Sequence, residues 1–168
     1  NGPSDIQKLN LDELRILADE TRDALIHKIS LAGGHNGPNL GMVEVTTALH
    51  YVFHSPIDKF VFDVSHQSYP HKILTGRKQA FLDEEHFHDV TGYTNPEESE
   101  HDFFTIGHTS TSISLALGLA KGRDLNHGKE NIIAIIGDGS LSGGEALEAL
   151  DYAGEYRNNL IIIVNDND

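Results

Sequence analysis

Asp138 sits between two glycines in Gly137-Asp138-Gly139, and a second polar tip, Asn165-Asp166-Asn167, follows later in the chain. A carboxylate flanked by residues without Cβ lets a ligand approach the backbone closely. Asn167 adds a neutral carbonyl oxygen. Such hard oxygens suit Mg²⁺, which favours octahedral oxygen coordination and often completes its shell with phosphate oxygens and water. A helix opening just after Gly139 would turn free N–H groups toward the same place, which favours a diphosphate. The chemistry expected at this edge is the holding of a metal and a diphosphate.

The elements that must position these tips are legible as apolar runs. Ile132-Ile133-Ala134-Ile135-Ile136 leads into Gly137, and Leu160-Ile161-Ile162-Ile163-Val164 leads into Asn165. Short continuous runs rich in Ile and Val predict strands buried on both faces, as in a parallel sheet. Residues 142–156 between them have the length of a helix. Ligands of open α/β sheets sit at the carboxyl ends of the strands, which brings both tips to one edge. The expected fold class is α/β, a parallel sheet flanked by helices.

Upstream, Asn10 and Glu13 form a capping-box pair for a helix carrying Leu11, Leu14, Ala18, Leu25 and Ile29, stopped by Gly33-Gly34. His35 follows in a glycine- and proline-rich shaped loop that runs to Gly41. By residue type alone, His35 is as readily structural as functional. Val45, Ala48, Leu49 and Val52 predict a second amphipathic helix, ending near Ser55-Pro56. Phe60 to Val64 reads as a strand, which puts His66 in its carboxyl-end loop, while His71 reads as structural. The hydroxyl cluster Thr109-Ser110-Thr111-Ser112 heads a small-residue helix, as an ordinary cap or as a ligand-contacting loop. Residues 79–101 are acidic and histidine-rich in a spacing that fits no standard zinc pattern, so a solvated, mobile surface segment is expected.

Length and charge narrow the class. A chain of 168 residues suggests one domain with a real core. Twelve Lys and Arg against 26 Asp and Glu give a formal charge of -14, which argues against nucleic acid and anionic membrane surfaces as partners. No cysteine is present, no run approaches the roughly 18 apolar residues of a membrane span, and no signal-peptide pattern opens the chain. A cytoplasmic enzyme is the expectation. The chain starts Asn1-Gly2-Pro3-Ser4 and stops at Asp168 beside the second polar tip, which reads as a fragment of a longer enzyme.

Gly137-Asp138-Gly139, closed by Asn167 after the next strand, resembles the thiamine-diphosphate-binding signature. Three stretches sharpen the match to the 1-deoxy-D-xylulose-5-phosphate synthase family of the transketolase-like group. They are Gly33-Gly34-His35, the run from Asp63 to Arg77 around Ser65-His66-Gln67-Ser68-Tyr69-Pro70-His71-Lys72, and Gly107-His108-Thr109-Ser110-Thr111-Ser112-Ile113-Ser114. The resemblance implies that residues 1–168 are the thiamine-diphosphate-binding N-terminal domain, with Mg²⁺ held by Asp138 and Asn167. It implies cofactor contacts from His66, Gly107, His108, Thr109, Gly139, Ser140 and Asn167, and a role in proton transfer for His35. The reaction implied is condensation of pyruvate with glyceraldehyde 3-phosphate, with loss of CO₂, to 1-deoxy-D-xylulose 5-phosphate. A homodimer is also implied, with two further domains and an activating glutamate beyond Asp168, so these residues alone should not turn over. One departure stands out: Asn95-Pro96 replaces the basic pair that such synthases usually carry before Glu98-Ser99-Glu100.

Three other readings compete. Gly137, Gly139, Gly143 and Gly144 after a strand approximate a dinucleotide fingerprint, with Asp166 as a ribose ligand. The third glycine falls one place late, however, and Asp138 would sit unneutralised beside a pyrophosphate. Transketolase-type two-carbon transfer is the nearest enzymatic alternative, and a non-catalytic cofactor-binding fragment is the non-enzymatic one.

Overall fold

The computed structural model describes residues 2–166, so Asn167 and its expected role as metal and cofactor ligand lie outside the described residues. Three parallel strands form one sheet: β1 (Lys59–Phe62), β2 (Ile132–Gly137) and β3 (Leu160–Asn165), in the order β1-β2-β3. The described residues also form four longer helices: α1 (Leu11–Ala32), α2 (Val43–Val52), α3 (Ser112–Leu125) and α4 (Gly144–Tyr156). The α/β parallel-sheet expectation holds. Backbone contacts group the chain into two compact units, Asn1–His54 with His66–Tyr93, and Ser55–Ser65 with Thr94–Asp168. Among the described residues no helix is long and apolar enough to cross a membrane.

The second unit contains the sheet. Phe60 pairs with Ile133 and Phe62 with Ile135 across β1 and β2, while Ile132 pairs with Leu160 and Gly137 with Asn165 across β2 and β3. Alternate residues Ile132, Ala134 and Ile136 share a core with Val61, with Ile113, Ala116, Leu117 and Ala120 of α3, and with Ala146 and Ala149 of α4. Alanines on the helices let them approach a sheet face of bulky isoleucines, and each buried isoleucine contributes about 1.5–3 kcal/mol. β2 is buried on both faces as its sequence predicts. β3 is not: it pairs with β2 alone among the described residues, and Val164 is 46 % exposed. Strand β1 also ends earlier than expected, because Val64 and Ser65 turn into the left-handed region at φ 57° and 67°. A β-branched residue there is a costly conformation that the surrounding bonds must hold.

In the first unit, α1 starts at the capping box read from the sequence. Asn10 accepts from the N–H groups of Asp12 and Glu13, both at 3.0 Å, and the Glu13 carboxylate accepts from the Asn10 N–H at 2.8 Å. Gly33, at φ 74°, ends it. The apolar faces expected from spacing are only partly right. Ala18 and Leu25 are buried as expected, but Leu11 is exposed, and α1 also buries Thr21, Ala24 and Lys28. On α2, Ala48 and Val52 are exposed while Thr46, Thr47 and His50 are buried. Internal partners make burial of Lys28, Thr47 and His50 tolerable, whereas the hydroxyls of Thr21 and Thr46 have no hydrogen-bond partner among the described residues. Lys28 Nζ donates to the carbonyls of Ala80 and Phe87 at 2.8 Å each and lies 4.4 Å over the Phe81 ring. His50 stacks on His71 at 5.1 Å, with Nε2 and Nδ1 3.0 Å apart, so His71 is the structural histidine expected. The loop after His35 contains a helical turn, Asn36–Leu40.

The acidic 79–101 region is anchored at points, with Phe81 and Phe87 buried in the first unit and Thr94 in the second. Asn95 donates its N–H to Asp102 at 2.9 Å and accepts from the Glu97 N–H at 3.0 Å, which makes a local turn.

Candidate cofactor and metal site

The metal-binding expectation centres on the carboxyl end of β2. Gly137 pairs with Asn165, so the Asp138 tip and the tip of β3 emerge side by side on the same sheet edge. Asp138 is exposed, and among the described residues no group donates to its carboxylate. A Cβ at Gly139 or Gly107 would meet open space, so neither glycine is needed for internal packing and both leave room for a ligand. The Gly139 and Ser140 carbonyls are already engaged, accepting from Ser142 Oγ at 2.8 Å and Ser110 Oγ at 2.7 Å. What remains for an anion is N–H and hydroxyl. These groups fit a divalent cation with its diphosphate, since oxygens of the diphosphate and water complete such a shell. Among the described residues, no cluster of three or more His, Cys, Asp or Glu side chains forms a metal cage of its own.

One expectation about this edge needs correction. The helix that opens after β2 is a single turn, Asp138–Leu141, and the long helix α4 begins only at Gly144. Gly143 intervenes for a packing reason. A Cβ there would lie 2.7 Å from Ser110 Cβ and collide with Ser110 Oγ.

Ser110 ties together two stretches expected to touch the cofactor. It adopts φ 70°, its hydroxyl donates to the Ser140 carbonyl at 2.7 Å, and its N–H donates to Asp63 at 2.9 Å. Asp63, 1 % exposed, also accepts from the Ser112 N–H at 2.9 Å and so satisfies the start of α3 from a distant segment. Thr111 occupies the cap position without making a side-chain cap, which removes the ordinary N-cap reading of the hydroxyl cluster. Gly107, His108 and Thr109 are exposed just before this anchor. His108 Nδ1 donates to the Thr109 carbonyl at 2.8 Å. Ser65 braces the same unit by donating to the Ile106 carbonyl at 2.8 Å and accepting from the Thr94 N–H at 3.0 Å.

The two histidines singled out by sequence, His35 and His66, lie together in the first unit. Their rings meet edge-on with centroids 5.3 Å apart, and Tyr69 and Tyr93 flank His35 at 6.2 Å and 5.6 Å. Tyr69 Oη is 3.4 Å from His35 Nδ1. Burial raises the Tyr69 pKa, so its phenol stays protonated and can donate to that nitrogen. A ring accepting at Nδ1 carries its proton on Nε2, as a donor toward a ligand requires. The sequence reading missed Asn39, Asp63, Ser110 and Gly143 as organisers of these groups. Apart from the His35 carbonyl bonded by Asn39, their partners are far away along the chain, so no local signal marks them.

Comparison with known proteins identifies the family of the chain. Residues 1–168 match the family model described as 1-deoxy-D-xylulose-5-phosphate synthase, and the chain belongs to that family. It is 50% identical over 168 residues to a protein of that name from Caldanaerobacter subterraneus subsp. tengcongensis, covering 100% of this chain and 27% of the relative. A Halalkalibacterium halodurans protein of the same name is 52% identical over 168 residues, again covering 100% of this chain and 27% of the relative. The rice (Oryza sativa subsp. japonica) protein named 1-deoxy-D-xylulose-5-phosphate synthase 1, chloroplastic, is 51% identical over 167 residues, with 99% and 23% covered. The chain thus spans about a quarter of the length of these curated relatives.

Proposed function

We propose that residues 1–168 are the cofactor-binding N-terminal domain of a thiamine-diphosphate-dependent transferase. The reaction proposed condenses pyruvate with glyceraldehyde 3-phosphate, with loss of CO₂, to give 1-deoxy-D-xylulose 5-phosphate. The observation that carries this reading is the pairing of Gly137 with Asn165, beside an exposed Asp138, in a chain that matches the synthase family over its whole length. An adjacent dinucleotide would leave Asp138 unneutralised, whereas a metal-bound diphosphate uses it.

Thiamine diphosphate supplies the electron sink that decarboxylation and carbon–carbon bond formation require. In this reading Asp138 and Asn167 hold Mg²⁺. Gly139, Ser140, Gly107, His108 and Thr109 contact the cofactor through backbone N–H, hydroxyl and imidazole groups. His66 is assigned to cofactor contact and His35 to proton transfer, with its Nε2–H as the donor. The working protein is a homodimer of a longer polypeptide that supplies the activating glutamate.

The test is calorimetric titration of thiamine diphosphate into the intact polypeptide and its Asp138→Ala variant, with and without Mg²⁺. Loss of Mg²⁺-dependent binding in the variant, with folding unchanged, is expected. Tight Mg²⁺-dependent binding by Asp138→Ala would remove Asp138 from the site.

A further inference from the structure

Asn39 is fully buried and carries three hydrogen bonds on one short side chain. Its Nδ2 donates to the His35 carbonyl at 2.6 Å and to the His66 carbonyl at 2.8 Å, and its Oδ1 accepts from the Tyr69 N–H at 2.9 Å. The three segments it joins carry the ring pair His35–His66 and the phenol that faces His35 Nδ1. No other described side chain bonds to all three. An amide suits this place because it offers two donors and an acceptor without a charge, so each carbonyl and the N–H is satisfied inside a dry site. Alanine would remove all three bonds. An aspartate would set its oxygens against two carbonyls.

We infer that Asn39 is the positioning residue for His35 and His66: it fixes the backbone of both histidines relative to one another and to Tyr69, and acts on the reaction only through them. This rests on the roles proposed above for the two histidines. Geometry of this kind matters because a displacement of about 1 Å in a reacting group can cost on the order of 10²-fold in rate.

The test uses the intact polypeptide with Asn39→Ala, and with Asn39→Ser as the milder variant, whose hydroxyl can still serve one carbonyl. Diethyl pyrocarbonate modification of each histidine is followed by peptide mass spectrometry, alongside turnover. The expected result is a severalfold rise in the modification rates of His35 and His66, with the buried pair His50 and His71 still protected. Turnover should fall roughly 10–10²-fold, more in the alanine than in the serine variant. Unchanged rates at His35 and His66 would overturn the inference, and so would general exposure of His50 and His71 in both variants. Raised rates at His35 and His66 with full turnover would uphold the positioning and overturn the proposed role of the histidines. The two failures are therefore distinguishable.

Discussion

His35 shows how one side chain's environment can be turned into a kinetic expectation. It is half-buried beside Tyr69 and Tyr93, with Tyr69 Oη facing Nδ1, so its replacement removes the imidazole together with its ring contacts to His66, Tyr69 and Tyr93. General acid–base assistance is worth about 10²–10⁴ in rate. His35→Ala should therefore lower turnover by that order while thiamine diphosphate affinity, measured by calorimetry, changes little. Normal turnover would remove His35 from the mechanism. At this scale residue type can only nominate candidates for chemistry, and Asp138 between glycines and His35 after Gly33-Gly34 stand out as such candidates. Asn39 and Asp63 do not, because a buried amide or carboxylate earns its place through partners elsewhere: Asp63 receives the N–H groups of Ser110 and Ser112 across a long stretch of chain.

Elements were legible where their signals are local. The capping box of α1 and its Gly33 stop are both complete within a few residues of sequence, and both form as expected. The apolar run of β2 is long enough to specify a buried central strand. Strand β3 reads the same way, yet it lies half-exposed at the sheet edge among the described residues, because periodicity reports strand character and not strand order. The face of α2 is turned from its expected position by His50 and Thr47, which are buried because His71 and the Val43 carbonyl receive them. The junction between β2 and α4 gives a test at this scale. Gly143→Ala would push a methyl group into Ser110, and such overpacking costs about 1–3 kcal/mol. Thermal unfolding should show that loss, and thiamine diphosphate affinity should fall as the Ser110 bond to Ser140 breaks. Adding Ser110→Gly, which suits φ 70° and removes the obstructing atoms, should recover much of the lost stability in a double-mutant cycle. Simple additivity of the two changes would contradict the contact.

At the scale of the whole molecule, the chain carries a formal charge of -14, yet the proposed ligands are themselves anionic. In the proposed reading, binding would depend on local features: a metal at Asp138 and N–H groups around Gly139, set at the end of β2. Fold class was legible from two apolar runs and a helix-length spacer, since that pattern leaves few architectures other than a parallel sheet. The division into two compact units was not, because it follows from which segments return to which core, as residues 55–65 and 94–168 do around the sheet. The substrates are the central claim, and one measurement reaches them directly. The intact polypeptide should be given pyruvate, thiamine diphosphate and Mg²⁺, and CO₂ release followed with and without glyceraldehyde 3-phosphate. Release should rise on addition of the aldehyde and yield 1-deoxy-D-xylulose 5-phosphate. Absence of release from pyruvate, with two-carbon transfer from a ketose phosphate instead, would contradict that claim.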